Sequence, residues 1–204
     1  MKCNLDCNYC ETGTYGGHDN TTSHPPLDQC LQSIDFMFAY ADLYMSRRIS
    51  SLKTVILNVY GGEALHHPSI VPILLAIQQR HIQYKYKWNL TVTVTTNAVI
   101  SAKKLAFVLP HIDEFTVSYH TSASIKQKQQ IRDNLITISQ SSARCKCVIM
   151  MDPQYFEDAV EHIDWCKQNN IRYLAKQIDH QHEKTQFNYD TQQVHFFKKD
   201  YQTR

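Results

Sequence analysis

Apolar residues recur every three or four positions over residues 27–49, and this spacing predicts a long amphipathic helix. The apolar stripe comprises Leu27, Cys30, Leu31, Ile34, Met37, Phe38, Ala41 and Met45. Because Cys30 belongs to this stripe, we interpret it as a packing residue and not as a metal ligand.

Beyond this helix, short apolar segments alternate with longer helical patterns. The predicted strands span residues 54–60, 90–95, 115–119, 145–150 and 171–175. Two predicted helices span residues 69–84 and 124–139. Two more are predicted from their starts alone: one has Ser101 as its N-cap, and the other begins at Pro153, a residue suited to the first helical turn. Strand–helix alternation with short connections indicates parallel βα units, arranged as an open doubly wound sheet or as a barrel.

Polar side chains alternate with apolar ones along three of the predicted strands. The polar positions are Asn58, Tyr60, Thr91, Thr93, Thr95, Asn97, Thr116, Ser118 and His120. Parallel strands buried on both faces are usually continuous apolar runs, so this alternation favours a curved sheet that encloses a polar lumen. An antiparallel sheet with one face in solvent is the alternative, and the intervening helices disfavour it. The predicted fold class is therefore α/β, as a partial (β/α) TIM-like barrel.

Composition narrows the class of protein. The chain has 204 residues, 43% of them hydrophobic, which is enough for one domain with a core. No apolar run approaches the roughly 18–20 residues of a membrane span, and no signal region precedes the first cysteines. The formal charge of +2 argues against a nucleic-acid partner. Seven cysteines without a signal region favour a cytoplasmic protein that uses thiols as metal ligands.

Three of these cysteines stand together at the start of the chain, where Cys3, Cys7 and Cys10 lie in CNLDCNYC. Thiolates are soft ligands that suit an iron–sulfur cluster or zinc. Such sites usually take four protein ligands, so three cysteines leave one metal position open to a substrate or cofactor. A zinc site closed by His18 is the alternative, and it would make the protein a non-catalytic binding module.

The loop resembles the cluster-binding loop C-N-L-x-C-x-Y-C of the radical S-adenosylmethionine (SAM) enzymes. The resemblance covers residues 2–177, which leaves residues 178–204 as a tail of undecided structure. It implies a [4Fe–4S] cluster held by Cys3, Cys7 and Cys10, with SAM chelating the fourth iron and Tyr9 beside its adenine. It also implies reductive cleavage of SAM to start radical chemistry, with an electron from a flavodoxin- or ferredoxin-like donor, in a barrel of usually six βα units.

The family places its first strand before the cysteine loop, whereas only Met1 and Lys2 precede Cys3 here. Either this strand is lacking or residues upstream are missing. We favour missing residues, because loss of the strand would expose an unpaired sheet edge. A degenerate, truncated relative without turnover stays open as a further interpretation.

Gly61, Gly62 and Glu63 follow the first predicted strand, at the carboxyl end where barrel active sites form. Glycines let the backbone approach a ligand closely, and a carboxylate accepts hydrogen bonds from an ammonium group. The segment resembles the GGE motif of the same family. The resemblance implies contact with the SAM amino group.

Two further predicted strands end in polar residues. Thr96 and Asn97 lie in TTNA and resemble the family's T-T-N-G, with Ala98 in place of glycine. Ser118 stands where a family serine often contacts the SAM ribose or carboxylate. His120 shares its strand face, so we expect either contact with the substrate or a partly buried position at the barrel rim.

The remaining candidates are less specific. Lys146 and Lys176 could hold the SAM carboxylate or lie at the surface, and residues 148–153 lack the family's glycine-rich ribose motif. Cys145 and Cys147 are one residue apart on a strand, which is a poor spacing for chelation, and Cys166 is isolated on a helix, so we interpret all three as packing residues. His180, His182 and Glu183 form either a casual metal site or part of a polar tail. No cysteine follows Cys166, so this sequence contains no auxiliary-cluster cysteines, and the substrate is not predicted.

Overall fold

The computed structural model of the chain describes residues 3–5, 7, 24–47, 53–178 and 188–201. The strands are β1 (Thr54–Val59), β2 (Asn89–Thr96), β3 (Glu114–His120), β4 (Arg144–Met151) and β5 (Tyr173–Gln177). The helices are α1 (Leu27–Ser46), α2 (Ile70–Tyr84), α3 (Ala102–Val108), α4 (Ile125–Ser139), α5 (Phe156–Gln168) and α6 (Thr191–Tyr201). None of these described helices combines the length and the apolar character needed to cross a bilayer.

The five strands form one parallel sheet in the chain order β1-β2-β3-β4-β5. Each strand is joined to the next through a helix, as parallel neighbours require. The predicted α/β class is therefore confirmed, with a strand at each of the five predicted places. Because the strands run in one direction, all five carboxyl ends lie at the same edge of the sheet.

Two predicted element starts differ from the observed ones by more than one residue. Helix α5 begins at Phe156, because residues 153–155 form a separate 3₁₀ turn capped by the Asp152 side chain, which accepts from the Gln154 amide. Strand β5 begins two residues later than predicted. Ile171 donates its amide to the carbonyl of Cys166 and so still belongs to the turn that ends α5.

Side chains along β3 alternate between the two faces of the sheet. Phe115, Val117 and Tyr119 are fully buried and share one core cluster with residues of α4 and α5. The positions between them are only half-buried, and they carry the polar side chains Ser118 and His120. The predicted division into an apolar and a polar face is therefore present, and it places polar groups on the side away from the helices.

Strand β1 stands at one end of the sheet, beside α1. Ile34 and Phe38 of α1 are buried, and Arg80 of α2 donates to Asp35 at 2.7 Å. In the described ranges no strand pairs with the outer side of β1, and the Ile56 side chain on one face of this strand is 68% exposed. The described residues thus contain five strands, and the first strand typical of the resembled family is not among them.

Residues 188–201 pack against the end of the sheet. The Tyr189 hydroxyl donates to the carbonyl of Met151 at 2.8 Å and accepts from the amide of Ile178 at 2.9 Å. Phe197 of α6 is buried, with its ring edge against Phe156 of α5. This part of the predicted tail therefore belongs to the core.

Candidate functional site

A cavity of about 300 Å³ lies at the carboxyl ends of the strands. Its walls come from the cysteine loop, the turn after β1, the ends of β2 and β3, and single residues of β4 and β5. The lining residues are Cys3, Leu5, Cys7, Tyr60, Gly61, Gly62, Thr95, Thr96, Asn97, Ser118, His120, Met150 and Lys176. Most of the predicted site residues that the structure describes therefore meet in one place.

Asn4 anchors the start of the cysteine loop to the turn after β2. Its side-chain amide donates to the carbonyl of Val99 at 3.0 Å, and its oxygen accepts from Asn97 Nδ2 at 2.7 Å. Asn97 Nδ2 also lies 3.8 Å from Cys3 Sγ. In the sequence, Asn4 is recognisable only as part of the loop motif, and its position between two cysteines is the one signal of this role.

Cys7 lies beside a histidine. Leu5 and Cys7 are buried with Ala123 in a small apolar cluster, which holds the loop against the segment after β3. The distance from Cys7 Sγ to His120 Nδ1 is 3.3 Å. Burial lowers the pKa of His120 to about 4, so its ring is neutral at pH 7. The site thus pairs a thiol with a neutral imidazole.

Glu63 is buried, with 2% of its surface exposed, and its carboxylate accepts three hydrogen bonds from the chain. The donors are the Leu65 amide at 3.0 Å, the Thr96 hydroxyl at 2.7 Å and the Asn97 amide at 2.7 Å. Burial raises the pKa of this carboxyl. Glu63 therefore joins the turn after β1 to the end of β2 and is not among the residues that line the cavity. Its contact with the SAM amino group stays a prediction.

The two glycines preceding Glu63 form part of the cavity wall. Gly61 has φ of 131°, a conformation that strongly favours glycine because it has no Cβ. A side chain at either position would project from the turn where a ligand could approach. The predicted close approach of the backbone fits this geometry.

Ala98 adopts the conformation for which glycine is usual, with φ of 54°. Its carbonyl accepts from Asn134 Nδ2 at 2.8 Å, and the carbonyl of Ile100 accepts from the same nitrogen at 2.9 Å. Asn134 belongs to α4 and is buried. The turn therefore forms without glycine because a buried amide holds it from outside.

Replacing Asn134 by aspartate is expected to lower the free energy of unfolding by about 3 kcal/mol at pH 7. The substitution removes the nitrogen that donates to both carbonyls and buries a negative charge beside them. Urea unfolding measures the effect, and Asn89→Asp at the exposed start of β2 is the matched control. A loss below about 1 kcal/mol would contradict the assigned role of Asn134.

The two lysine candidates differ in position. Lys176 of β5 lines the cavity, whereas Lys146 of β4 is not among the lining residues. Cys145, Cys147 and Cys166 lie away from the cavity, and the last two are fully buried. Other predicted residues fall outside the described ranges: Tyr9, Cys10, His18, His180, His182 and Glu183.

No model of a protein family and no curated protein matches the sequence. Among solved structures, the fold is similar to one described as "Native anSMEcpe with bound AdoMet" and to a second of the same protein, histidine-tagged and also with bound AdoMet. Both have a TM-score of 0.64 and 13% sequence identity, and the alignments cover 98% and 99% of this chain. The chain spans 58% of the length of each neighbour. Both neighbours are structures of one protein, an anaerobic sulfatase-maturating radical SAM enzyme. At this identity the likeness concerns the fold.

Proposed function

We propose that this chain is the core of a radical SAM enzyme, which holds a [4Fe–4S] cluster through Cys3, Cys7 and Cys10 and binds SAM in the adjoining cavity. The observation that carries the proposal is the convergence of Cys3 and Cys7 with Gly61 and Asn97 on one cavity of about 300 Å³. The fold likeness to structures with bound AdoMet supports it.

The described residues fit such a group. Thiols are the donors that iron–sulfur clusters take, and the hydrogen bonds of Asn4 hold the loop at the cavity wall. Three cysteines leave one iron for SAM. When bound and reduced, a cluster held by Cys3, Cys7 and Cys10 would supply the electron for reductive cleavage of SAM to methionine, the chemistry that would start hydrogen abstraction from a substrate.

We infer further that the sheet curves as a partial (β/α) barrel around the polar face. Five parallel strands with helical crossovers and a half-buried polar face are typical of that architecture. Such a lumen places a substrate next to the cavity. The fold does not select the substrate, which we leave undefined.

Within the cavity, six of the lining residues have a proposed task. Gly61 and Gly62 allow SAM to approach the backbone, while Asn97 and Ser118 offer polar groups to its ribose or carboxylate. Lys176 is a cation available to the carboxylate. His120 is neutral at pH 7, which suits a contact with substrate that neither attracts nor repels charge.

Reconstitution with iron and sulfide under anaerobic conditions, followed by dithionite and SAM, is expected to release 5′-deoxyadenosine and methionine. Chromatography with mass detection measures both products, and omission of dithionite is the control. A fully loaded cluster that yields neither product would count decisively against the proposal. In the cell, the electron would come from a flavodoxin- or ferredoxin-like donor.

A second candidate follows from the 3.3 Å distance between Cys7 Sγ and His120 Nδ1. With Cys3 and Cys10, these groups would complete a closed zinc site of the Cys₃His type, and the protein would be a non-catalytic module. His120→Ala separates the two candidates. An iron–sulfur protein is expected to keep its iron in this variant, whereas a zinc protein is expected to lose its zinc from the loop.

A further inference from the structure

A second group of metal-ligating side chains lies on the opposite face of the sheet, between β4 and α5. Cys147, His162 and Cys166 are each 0% exposed, and their ligand atoms lie within 4.8 Å of one another. The Cys166 thiol lies close enough to Cys147 to raise the pKa of Cys147, and burial raises it as well. Neither the cysteine loop nor the cavity contributes to this group.

Sequence spacing hid this arrangement, because it depends on two elements. His162 and Cys166 are four residues apart on α5, so they project from the same face of the helix. Cys147 lies in β4, among the buried residues that α5 covers. Cys145 precedes it by two residues on the same strand face and lies near Cys166, but its Sγ is not in the group whose ligand atoms lie within 4.8 Å of one another, so it reaches an ion there only after its side chain rotates. The chain thus gathers three thiols and one imidazole.

One separation in this group, between a sulfur and a nitrogen, matches a tetrahedral metal site, and the atoms that are up to 4.8 Å apart must move closer to bind one ion. With Zn–S of about 2.3 Å and Zn–N of about 2.0–2.1 Å, tetrahedral angles place sulfur and nitrogen roughly 3.5 Å apart. The distance from Cys147 Sγ to His162 Nε2 is 3.6 Å. The imidazole ring is also fixed in its plane, since it stacks on Tyr119 at 3.5 Å and on Trp165 at 5.1 Å between ring centroids. Little rearrangement is needed to bring these two atoms onto one ion.

We propose that Cys147, His162 and Cys166 bind one Zn²⁺, with Cys145 as the fourth ligand, in a structural site independent of the cysteine loop. Thiolate and imidazole are the donors that zinc prefers, and four protein ligands close its coordination sphere. The ion joins β4 to α5 inside the core and has no open position for chemistry.

The His162 imidazole must change tautomer when the ion binds, with its proton moving from Nε2 to Nδ1. Arg132 Nε donates to His162 Nδ1 at 3.3 Å, so without metal the ring proton is on Nε2, which faces Cys147. Ligation through Nε2 requires the proton on Nδ1, where it needs an acceptor in place of Arg132. The Glu161 carboxylate, which accepts from Arg132 Nη2 at 3.1 Å, is the acceptor that we assign to this proton.

The test uses the full chain with Cys3, Cys7 and Cys10 all replaced by alanine, so that the loop binds no metal. Because the proposed site is buried, the protein is unfolded and refolded anaerobically with Co²⁺, which takes tetrahedral thiolate sites. We expect one Co²⁺ per chain, strong visible bands and a thiolate-to-cobalt charge-transfer band. Absence of these bands in the refolded protein would overturn the proposal, and it would leave the proposed function untouched.

Point variants on this background locate the ion. His162→Gln, which is close in volume, and Cys166→Ala are expected to abolish the bands. Cys30→Ala is the matched control, because Cys30 Sγ also faces a histidine, with His67 Nε2 at 3.9 Å. Bands that survive Cys166→Ala, or that disappear in Cys30→Ala, would contradict the assigned ligands.

Arg132→Gln tests the tautomer exchange. An amide oxygen can accept the Nδ1 proton that the guanidinium cannot, so the affinity for Co²⁺ is expected to rise by roughly tenfold. An unchanged or lower affinity would overturn the assignment of Nε2 as the ligand atom.

Discussion

Replacing any one of Cys3, Cys7 and Cys10 by alanine is expected to abolish both iron retention and SAM cleavage. Each substitution removes one of only three protein ligands, and two thiolates do not hold a [4Fe–4S] cluster stably. Iron and sulfide per chain, measured beside the yield of 5′-deoxyadenosine, report the two effects separately. The loss should be complete within the sensitivity of either assay.

Cys30→Ala and Cys166→Ala are the controls for this series. Cys30 is half-buried beside Pro25 and His67, and Cys166 lies in the core behind the sheet, so neither should change iron content or product yield. If Cys166→Ala lost iron as the loop variants do, the assignment of the cluster to the loop would be wrong. If Cys166→Ala lost zinc but kept its iron, the result would support two separate sites, a cluster at the cysteine loop and a zinc ion in the core.

Glu63→Gln is expected to weaken SAM binding by roughly ten- to a hundredfold while the cluster stays bound. A charge-assisted hydrogen bond contributes about 1.5–3 kcal/mol, and the substitution removes the charge that would pair with the SAM ammonium. The structure adds a second effect. A glutamine has one acceptor oxygen, so its amino group would face a donor such as the Asn97 amide, and the free energy of unfolding should also fall by about 1–3 kcal/mol.

Calorimetric titration with SAM and urea unfolding measure these two losses independently. Glu157→Gln on the exposed surface of α5 serves as the control for removal of a carboxylate. Normal SAM affinity in Glu63→Gln would contradict a contact with the ligand. Unchanged stability would contradict the role of the carboxylate in joining β1 to β2.

Much of the fold could be predicted because local patterns determine it. Alternation in β2 and β3 marks two faces, and Ser101 caps its helix as the sequence indicates, accepting from the amide of Lys104. The boundaries that differed depend on contacts that periodicity does not contain. The start of α5 is set by the Asp152 cap, and the start of β5 by a bond from Ile171 back to the preceding helix.

The residues of the candidate site likewise fall into those that local sequence signals predict and those that they do not. Cys3, Gly61 and Asn97 carry signals in their own neighbourhoods, and the carboxyl ends of parallel strands bring them together. Asn134 contacts the site across 36 residues of chain, and no motif surrounds it. The ligand group around His162 needs a strand and a helix in register, which spacing along one element does not reveal.

Side chains, and not other backbone groups, hold the amides of the turn that closes β2. The amides of Asn97, Ala98 and Val99 donate in succession to Glu63, Thr96 and Asn97 itself. Opening this turn breaks all three bonds together, so these amides should exchange with solvent deuterium as one slow unit. The turn is therefore already ordered before a ligand enters the cavity, because its conformational entropy was lost on folding. The affinity of the ligand is then not reduced by the entropic cost of ordering this turn.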